Sequence, residues 1–125
     1  MRKIIIVMAT VLVASTAAAL AHDVAKGPNG GQVVEDAGHH VEFTMKENDV
    51  ILYLSGSSDA PLPSKGATGR LIVQDGTAQA MADLTAAEPN RLTAKLATPL
   101  KPGAKLVVSI KLADGHDLKA RFVAK

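Results

Sequence analysis

The sequence predicts a small antiparallel β-sandwich of immunoglobulin-like or Greek-key type, all-β apart from a signal-peptide helix that precedes it. Three observations predict this fold. Apolar residues alternate with polar ones at a period of two, turn residues interrupt these runs at short intervals, and no segment after residue 21 has the apolar spacing of a helix. The chain has 125 residues, which is enough for one such domain after its leader is removed.

The leader has the three parts of a secretory signal peptide in the expected order. Arg2 and Lys3 make a positively charged start, residues 4–13 are almost wholly apolar, and Ala19 and Ala21 give an Ala-x-Ala cleavage pattern. The apolar run is shorter than the roughly 20 residues that span a bilayer. We expect cleavage after Ala21, with a cut after Ala19 as the alternative. The mature protein is then periplasmic and has no stable membrane anchor.

The predicted organisation has three parts. Residues 1–21 form the signal peptide, residues 22–31 a Gly-rich N-terminal segment, and residues 32–125 a single β-sandwich domain. The Gly-rich motif at residues 27–31 lacks the Lys-Ser or Lys-Thr of a phosphate-binding loop, and no helix pattern follows it. We interpret the motif as a tight backbone feature that leads into the first strand.

The first two strands are predicted by alternation and by the turn between them. Residues 32–35 follow the Gly-rich entry, and Asp36-Ala37-Gly38 ends them. Residues 39–46 alternate clearly, with His39, Val41 and Phe43 on one face and His40, Glu42 and Thr44 on the other. A period of two is typical of a strand with one face buried.

The remaining strands are predicted by short apolar or alternating runs between turn signals. Asn48-Asp49 precedes the third run, and a polar loop with two prolines follows it at residues 55–65. Asp-Gly dipeptides, which favour hairpin turns, separate two later pairs of runs. The predicted strands are residues 50–54, 70–74, 77–85, 91–97, 106–112 and 118–123.

Composition excludes several functions. The precursor has 14 basic and 12 acidic residues, and removing Arg2 and Lys3 with the leader makes the mature chain formally neutral. This balance and the few aromatic residues argue against nucleic-acid binding. The chain has no cysteine, which excludes a thiol nucleophile and a blue-copper site. No nucleophile and base can be paired from spacing, so we expect a protein that is not an enzyme.

Four histidines remain as candidate metal ligands, and all of them lie in the mature chain. Cleavage after Ala21 makes His22 the N-terminal residue, whose free amine and imidazole can chelate one ion. His40 and Glu42 share the polar face of their strand and form a candidate pair. His39 points the opposite way with Val41, and we interpret it as a boundary histidine whose hydrogen bonds are met, with a weaker claim as a ligand.

A further candidate is the turn Asp114-Gly115-His116. Asp114 and His116 can point the same way if the turn stays extended, although Asp-Gly is also ordinary turn chemistry. Imidazole with nitrogen and oxygen partners suits Cu(II), and Zn or Ni fit the same donors.

Two resemblances bear on these residues. The stretch from His22 through the 27–31 motif to His39-His40-Val41-Glu42 resembles small exported bacterial proteins and a segment of periplasmic adaptor subunits of heavy-metal efflux pumps. That resemblance implies a β-rich domain in a metal-handling setting. The places of His22 and of Asp114-Gly115-His116 resemble those in the copper-resistance protein C family. That resemblance implies Cu(II) binding through the terminal histidine and the Asp-x-His element.

The sequence therefore favours a periplasmic protein that binds a divalent metal, Cu(II) first, for buffering or for efflux and resistance. Its expected partners are the metal ion and an efflux or envelope protein. The alternative is a metal-free β-sandwich interaction module that docks on an envelope or efflux partner through a sheet edge or the loop at residues 55–65.

Overall fold

The computed structural model describes residues 26–125. The predicted signal peptide and His22 lie outside these residues. Within the described range, no helix is long and apolar enough to cross a membrane.

The described chain is all-β and antiparallel, as the sequence predicts. Each predicted strand has its counterpart, with bounds that differ by a few residues at most. The strands are β1 (Gln32–Asp36), β2 (His39–Lys46), β3 (Asp49–Ser55), β4 (Thr68–Asp75), β5 (Ala78–Ala87), β6 (Arg91–Lys95), β7 (Lys105–Lys111) and β8 (Asp117–Val123).

The strands form one nearly closed sheet in the order β1-β2-β3-β6-β5-β4-β7-β8. Pairing is extensive within each set of four neighbouring strands. The join between the sets is narrow, because β5 and β6 share only three residue pairs, at Thr85, Ala86 and Ala87 of β5. The sheet therefore consists of two four-stranded halves, β1-β2-β3-β6 and β5-β4-β7-β8, which the β5–β6 hairpin connects.

The halves also meet where β1 approaches β8. No ladder joins these strands; side chains of β1 bridge to the backbone of β8. The amide Nε2 of Gln32 donates to the carbonyl of Val123 at 2.6 Å, and the N–H of Lys119 donates to Oδ2 of Asp36 at 2.7 Å. These two bonds hold both ends of β1 against β8.

The core lies between the two halves, on the faces that the alternation predicts. Val41 and Phe43 of β2 are buried on the same side as Leu52 of β3, while their neighbours in sequence face outward. The rings of Phe43 and Phe122 stack across the halves with centroids 5.2 Å apart. The fully buried large side chains are Leu52, Leu54, Leu71, Leu92, Leu106, Ile110, Leu118, Val41, Val50 and Val108.

Two tight turns place the ends of β2. Ala37 and Gly38 both have positive φ, 51° and 78°, which is typical of a two-residue hairpin between antiparallel strands. At the far end of β2 the turn is formed by Glu47 and Asn48, and Asp49 already begins β3. The predicted Asn48-Asp49 turn is therefore displaced by one residue.

Candidate functional site

The three described histidines lie at one end of the molecule. His39 and His40 begin β2, and His116 immediately precedes β8. Since neighbouring strands run in opposite directions, the start of β2, the end of β1 and the start of β8 fall at the same end of the sheet. The order and direction of the strands therefore bring together residues that are far apart in the sequence.

His39 occupies the inner face of β2, next to the core. Its ring centroid lies 6.1 Å from that of His116, with the two planes tilted by 45°. Its Nδ1 atom is buried, and no hydrogen-bond partner for it is found within residues 26–125. The sequence predicts a boundary histidine with its bonds met, and for Nδ1 that prediction is wrong. A buried, unpaired ring nitrogen is costly, so a bound group that satisfied it would stabilise the site.

Asp114 orients His116. The backbone N–H of His116 donates to Asp114 Oδ1 at 3.0 Å, and its Nδ1 lies 2.8 Å from Asp114 Oδ2. The two side chains therefore contact each other across a tight turn, in which Gly115 has a φ of 93°. The backbone N–H of His116 is the main reason that the pKa of the Asp114 carboxyl lies below its usual value, and the imidazole lowers it further.

A carboxylate on Nδ1 leaves Nε2 of the His116 ring free to bind another group. This pattern, in which a carboxylate accepts a bond from one nitrogen of a histidine, fixes the ring orientation and makes the other nitrogen a better ligand. Asp114 is therefore placed to position His116.

Asp36 brings the two histidines together. It lies opposite His39 in the β1–β2 ladder, and its Oδ2 accepts the N–H of Lys119 near the start of β8. This bond fixes the end of the β1–β2 hairpin beside the turn that carries His116. No pattern local to either segment encodes that contact.

His40 faces away from His39, as the alternation predicts. Its Nε2 lies 3.6 Å from Oε2 of Glu35, and its Nδ1 lies 3.3 Å from Oδ1 of Asp59. Glu35 is the residue opposite His40 in the β1–β2 ladder. Each ring nitrogen of His40 therefore has a carboxylate beside it on the outer face.

Glu42 shares the outer face with His40, yet only 3% of its surface is exposed. The residue 27–31 segment covers it. The backbone N–H of Asn29 donates to Oε2 at 2.9 Å, that of Gly31 at 2.8 Å, and Asn29 Nδ2 donates to Oε1 at 3.0 Å. These bonds occupy both carboxylate oxygens, so Glu42 anchors the N-terminal segment.

The residue 27–31 segment forms the tight backbone feature that the sequence predicts. The N–H of Gly30 donates to the carbonyl of Gly27 at 2.9 Å, and the N–H of Gly27 donates to the carbonyl of Gly31 at 2.8 Å. The segment also forms one wall of a cleft of about 650 Å³, and the residues that line the rest of it include His40, Tyr53, Asp59 and Asn90.

The predicted ligands therefore separate into two groups. His39, His116 and Asp114 lie together at the end of the inner face, whereas His40 and Glu42 lie on the outer face. Within residues 26–125, no group of three or more histidine, aspartate or glutamate side chains has the geometry to hold a metal ion.

Three residues of the site were not predicted as functional. Glu35 and Asp36 come just before the turn at residues 37–38. A two-residue hairpin at this turn predicts that Glu35 lies opposite His40. Asp59 reaches His40 from a loop, and no signal in the sequence indicates this contact.

Comparison of the chain with protein-family models, with curated proteins and with solved structures finds no match.

Proposed function

We propose that this protein is an exported metal-binding protein that holds a divalent ion, Cu(II) first, between His39 and His116. The observation that carries the proposal is the buried, unpartnered Nδ1 of His39 beside the ring of His116. Buffering of the ion, or its transfer to an efflux or envelope partner, is the role that such a site would serve outside the cytoplasm.

The spacing of the two rings supports this assignment. Metal–nitrogen bonds of about 2 Å place the ring centres of two histidines roughly 5 Å apart around a tetrahedral ion. The observed separation is 6.1 Å, and the His116 side chain is 66% exposed in a turn. A movement of His116 by about 1 Å would close the pair around an ion, within the range of ordinary side-chain adjustment.

The ring nitrogens of the two histidines have different roles in the proposed site. Nδ1 of His39 and Nε2 of His116 are the proposed ligating atoms, and Asp114 positions His116 through Nδ1. Two imidazoles alone leave the coordination of the ion incomplete, because Cu(II) and Zn bind three or four donors from proteins.

His22 is the proposed source of further donors. With cleavage after Ala21, its amine and imidazole would both be free to bind. If residues 22–25 are extended, they reach about 13 Å from Lys26. Strand β1 covers about the same distance from Gln32 to Asp36. Lys26 bridges to Gln32, so the mature N-terminus is long enough to reach the end of the molecule where His39 lies.

Calorimetric titration of the processed protein with CuCl₂ and ZnCl₂ tests the site, after mass spectrometry has determined the N-terminus. We expect micromolar or tighter binding of one ion, weakened at least about 10-fold by His39→Gln or His116→Gln, since each removes one ligand worth about 1.4 kcal/mol or more. His40→Gln is the matched control, because His40 adjoins His39 and faces the other way. Binding no tighter than about millimolar, near −4 kcal/mol, or an equal loss in His40→Gln, contradicts the proposal.

A second experiment separates the terminal chelate from the internal pair. One residue added before His22 blocks the amine. Full binding by the extended chain would exclude the terminal chelate and leave the His39–His116 pair intact. If the protein is instead a metal-free interaction module, replacing all four histidines should leave its function in the cell unchanged.

A further inference from the structure

One backbone edge of β1 has no strand to pair with among residues 26–125. β1 is the end strand of the sheet, and its ladder with β2 takes up one side of it. Asp36 belongs to the pair that closes the two-residue hairpin, so Asp36 and Val34 direct their backbone N–H and C=O groups toward β2. Val33 and Glu35, which alternate with them, direct theirs to the free side.

Strand β8 approaches β1 without pairing with this free edge. Gln32 and Asp36 reach the backbone of β8 with their side chains, which project from the inner face of β1. At Gln32 this contact coexists with a backbone bridge from Lys26. Asp36 meets β8 through its side chain in the same way at the other end of the strand. β8 therefore leaves the free edge of β1 accessible to a further strand.

Lys26 already begins an antiparallel pairing with β1. It forms a bridge with Gln32, and the N–H of Gly27 donates to the carbonyl of Gly31 at 2.8 Å. Gly31 immediately precedes β1 and, like Val33, directs its carbonyl to the free side. The bridge therefore fixes both the edge and the direction along which the residues before Lys26 would continue.

We propose that residues 22–25 continue this pairing and add a further strand to the free edge of β1. In an antiparallel ladder each step back from Lys26 is matched by one step forward from Gln32. The opposed pairs are then Ala25–Val33, Val24–Val34, Asp23–Glu35 and His22–Asp36. The segment between the predicted cleavage site and Lys26 is thus just long enough to reach the last residue of β1. Cleavage two residues earlier would leave this register unchanged.

The residues of this segment suit the register at its centre. Val24 takes an inner-face position beside Val34, which is partly buried against the core, and apolar β-branched pairs across strands are favourable. Val34 and residues of β7 and β8 border a hollow of about 440 Å³, which leaves room for a second valine side chain. Asp23 opposite Glu35 is unfavourable, because both are acidic. We therefore expect a strand that opens and closes in the metal-free protein.

The register would bring His22 to the proposed metal site, a consequence that rests on the proposed function. Asp36 lies opposite His39 in the ladder with β2, so the new strand places His22 on the other side of Asp36. All three residues take inner-face positions, and the backbones of His22 and His39 lie two strand spacings apart, about 10 Å. An ion bound by both histidines would favour the paired state of the strand by mass action.

A crosslink between residues 24 and 34 tests the register in the processed, metal-free protein. The chain has no cysteine, so Val24→Cys with Val34→Cys supplies the two thiols. Opposed residues of this kind of pair have Cα atoms about 4.5 Å apart, within the ~4.4–6.8 Å range of disulfides. We expect mild oxidation to close an intramolecular disulfide at least about 10-fold faster than in the control, Val24→Cys with Glu35→Cys, whose side chains take opposite faces. Equal rates overturn the proposed register.

Amide hydrogen exchange tests the strand without any thiol. The N–H of Glu35 faces the new strand, whereas that of Val34 faces β2. Ala25→Pro removes an N–H that would donate to the carbonyl of Val33, and a proline at that position interrupts the ladder. The Glu35 amide should then exchange at least about 10-fold faster than in the wild type, with the Val34 amide unchanged. An unchanged rate at Glu35 overturns the proposal.

Neither measurement needs a metal ion, so this inference and the proposed function can fail separately. A disulfide between residues 24 and 34 in a protein that does not bind CuCl₂ would support the strand and contradict the metal site. Binding of CuCl₂ without the disulfide and without protection of Glu35 would contradict the strand alone.

Discussion

Phe43 and Phe122 stack face to face, 5.2 Å between ring centroids, although they belong to opposite halves of the sheet. The β5–β6 join supplies only three residue pairs. The two rings are therefore a major contact through which the halves β1-β2-β3-β6 and β5-β4-β7-β8 hold together.

Phe122→Ala should lower the free energy of unfolding by about 3–5 kcal/mol, because it removes a buried ring and leaves a cavity between the halves. Urea denaturation followed by circular dichroism measures the change. Val123→Ala, at the exposed neighbouring position, should cost less than about 1 kcal/mol. Equal losses in the two variants would show that the stacked pair does not join the halves.

Glu42→Gln should destabilise the fold by about 2–3 kcal/mol, since the three N–H donors lose their charged acceptor and the amide NH₂ that replaces one oxygen faces N–H donors. The N-terminal segment should then exchange its amide hydrogens faster, at Asn29 and Gly31 above all. Glu35→Gln is the matched control on the same face, with an exposed side chain and an expected change within about 0.5 kcal/mol. Unchanged exchange in Glu42→Gln would mean that the carboxylate does not anchor the segment.

Gly31→Ala should cost about 2 kcal/mol or more, because a Cβ at Gly31 would overlap the carbonyl oxygen of Phe43 in β2. The backbone of β2 cannot move away without breaking its ladder. At Gly56 the nearest atom to an added Cβ is the carbonyl oxygen of Ala60, at 3.9 Å, so Gly56→Ala should be neutral to slightly stabilising. Thermal unfolding of both variants distinguishes a steric effect at Gly31 from a general effect of replacing glycine.

Asp114 makes stability depend on pH in the acid range. Its pKa in the folded protein lies below the usual 3.8, chiefly because of the backbone N–H of His116. The carboxylate therefore stabilises the fold above that usual value, and this contribution is lost as pH falls through the lowered pKa. Asp114→Asn should remove it, so that the stability of the variant changes less with pH below 3.8.

The same carboxyl can be followed directly by NMR. In His116→Ala the imidazole is absent but the backbone N–H remains, so the pKa of Asp114 should rise toward its usual value without reaching it. A return to the full usual value would assign the shift to the imidazole alone.

The proposed metal binding should weaken as the pH falls from about 7 to 5, because protons compete with the ion for imidazole ligands. Titration with CuCl₂ at both pH values measures this. Binding that is independent of pH over the range would exclude imidazole ligands.

The local pattern of apolar and polar residues was sufficient to predict most of the fold. The alternation of Val41, Phe43 and Met45 with His40, Glu42 and Thr44 predicts β2 with the observed bounds and the observed inner face. Turn residues predict where the chain reverses, within a residue or two, because turn chemistry depends on a few adjacent positions. Strand existence and side-chain direction are thus properties of short stretches of sequence.

The candidate site was only partly predictable. Alternation separated His39 from His40, and spacing paired Asp114 with His116, since these relations span a few residues. The prediction that Glu42 is a ligand beside His40 could not foresee that residues 27–31 fold over its carboxylate. That contact joins segments across a hairpin, and the backbone N–H groups that make it carry no signal in residue identity.

By itself the sequence determined an all-β antiparallel fold, the positions of its strands and the face each side chain takes. Only the tertiary structure decided that His39 meets His116, that Glu42 is buried, and that side chains of β1, rather than a ladder, join it to β8. These depend on strand order and register, which arise when segments remote in the chain pack around one core. A period of two specifies a buried face but not the strand that will cover it.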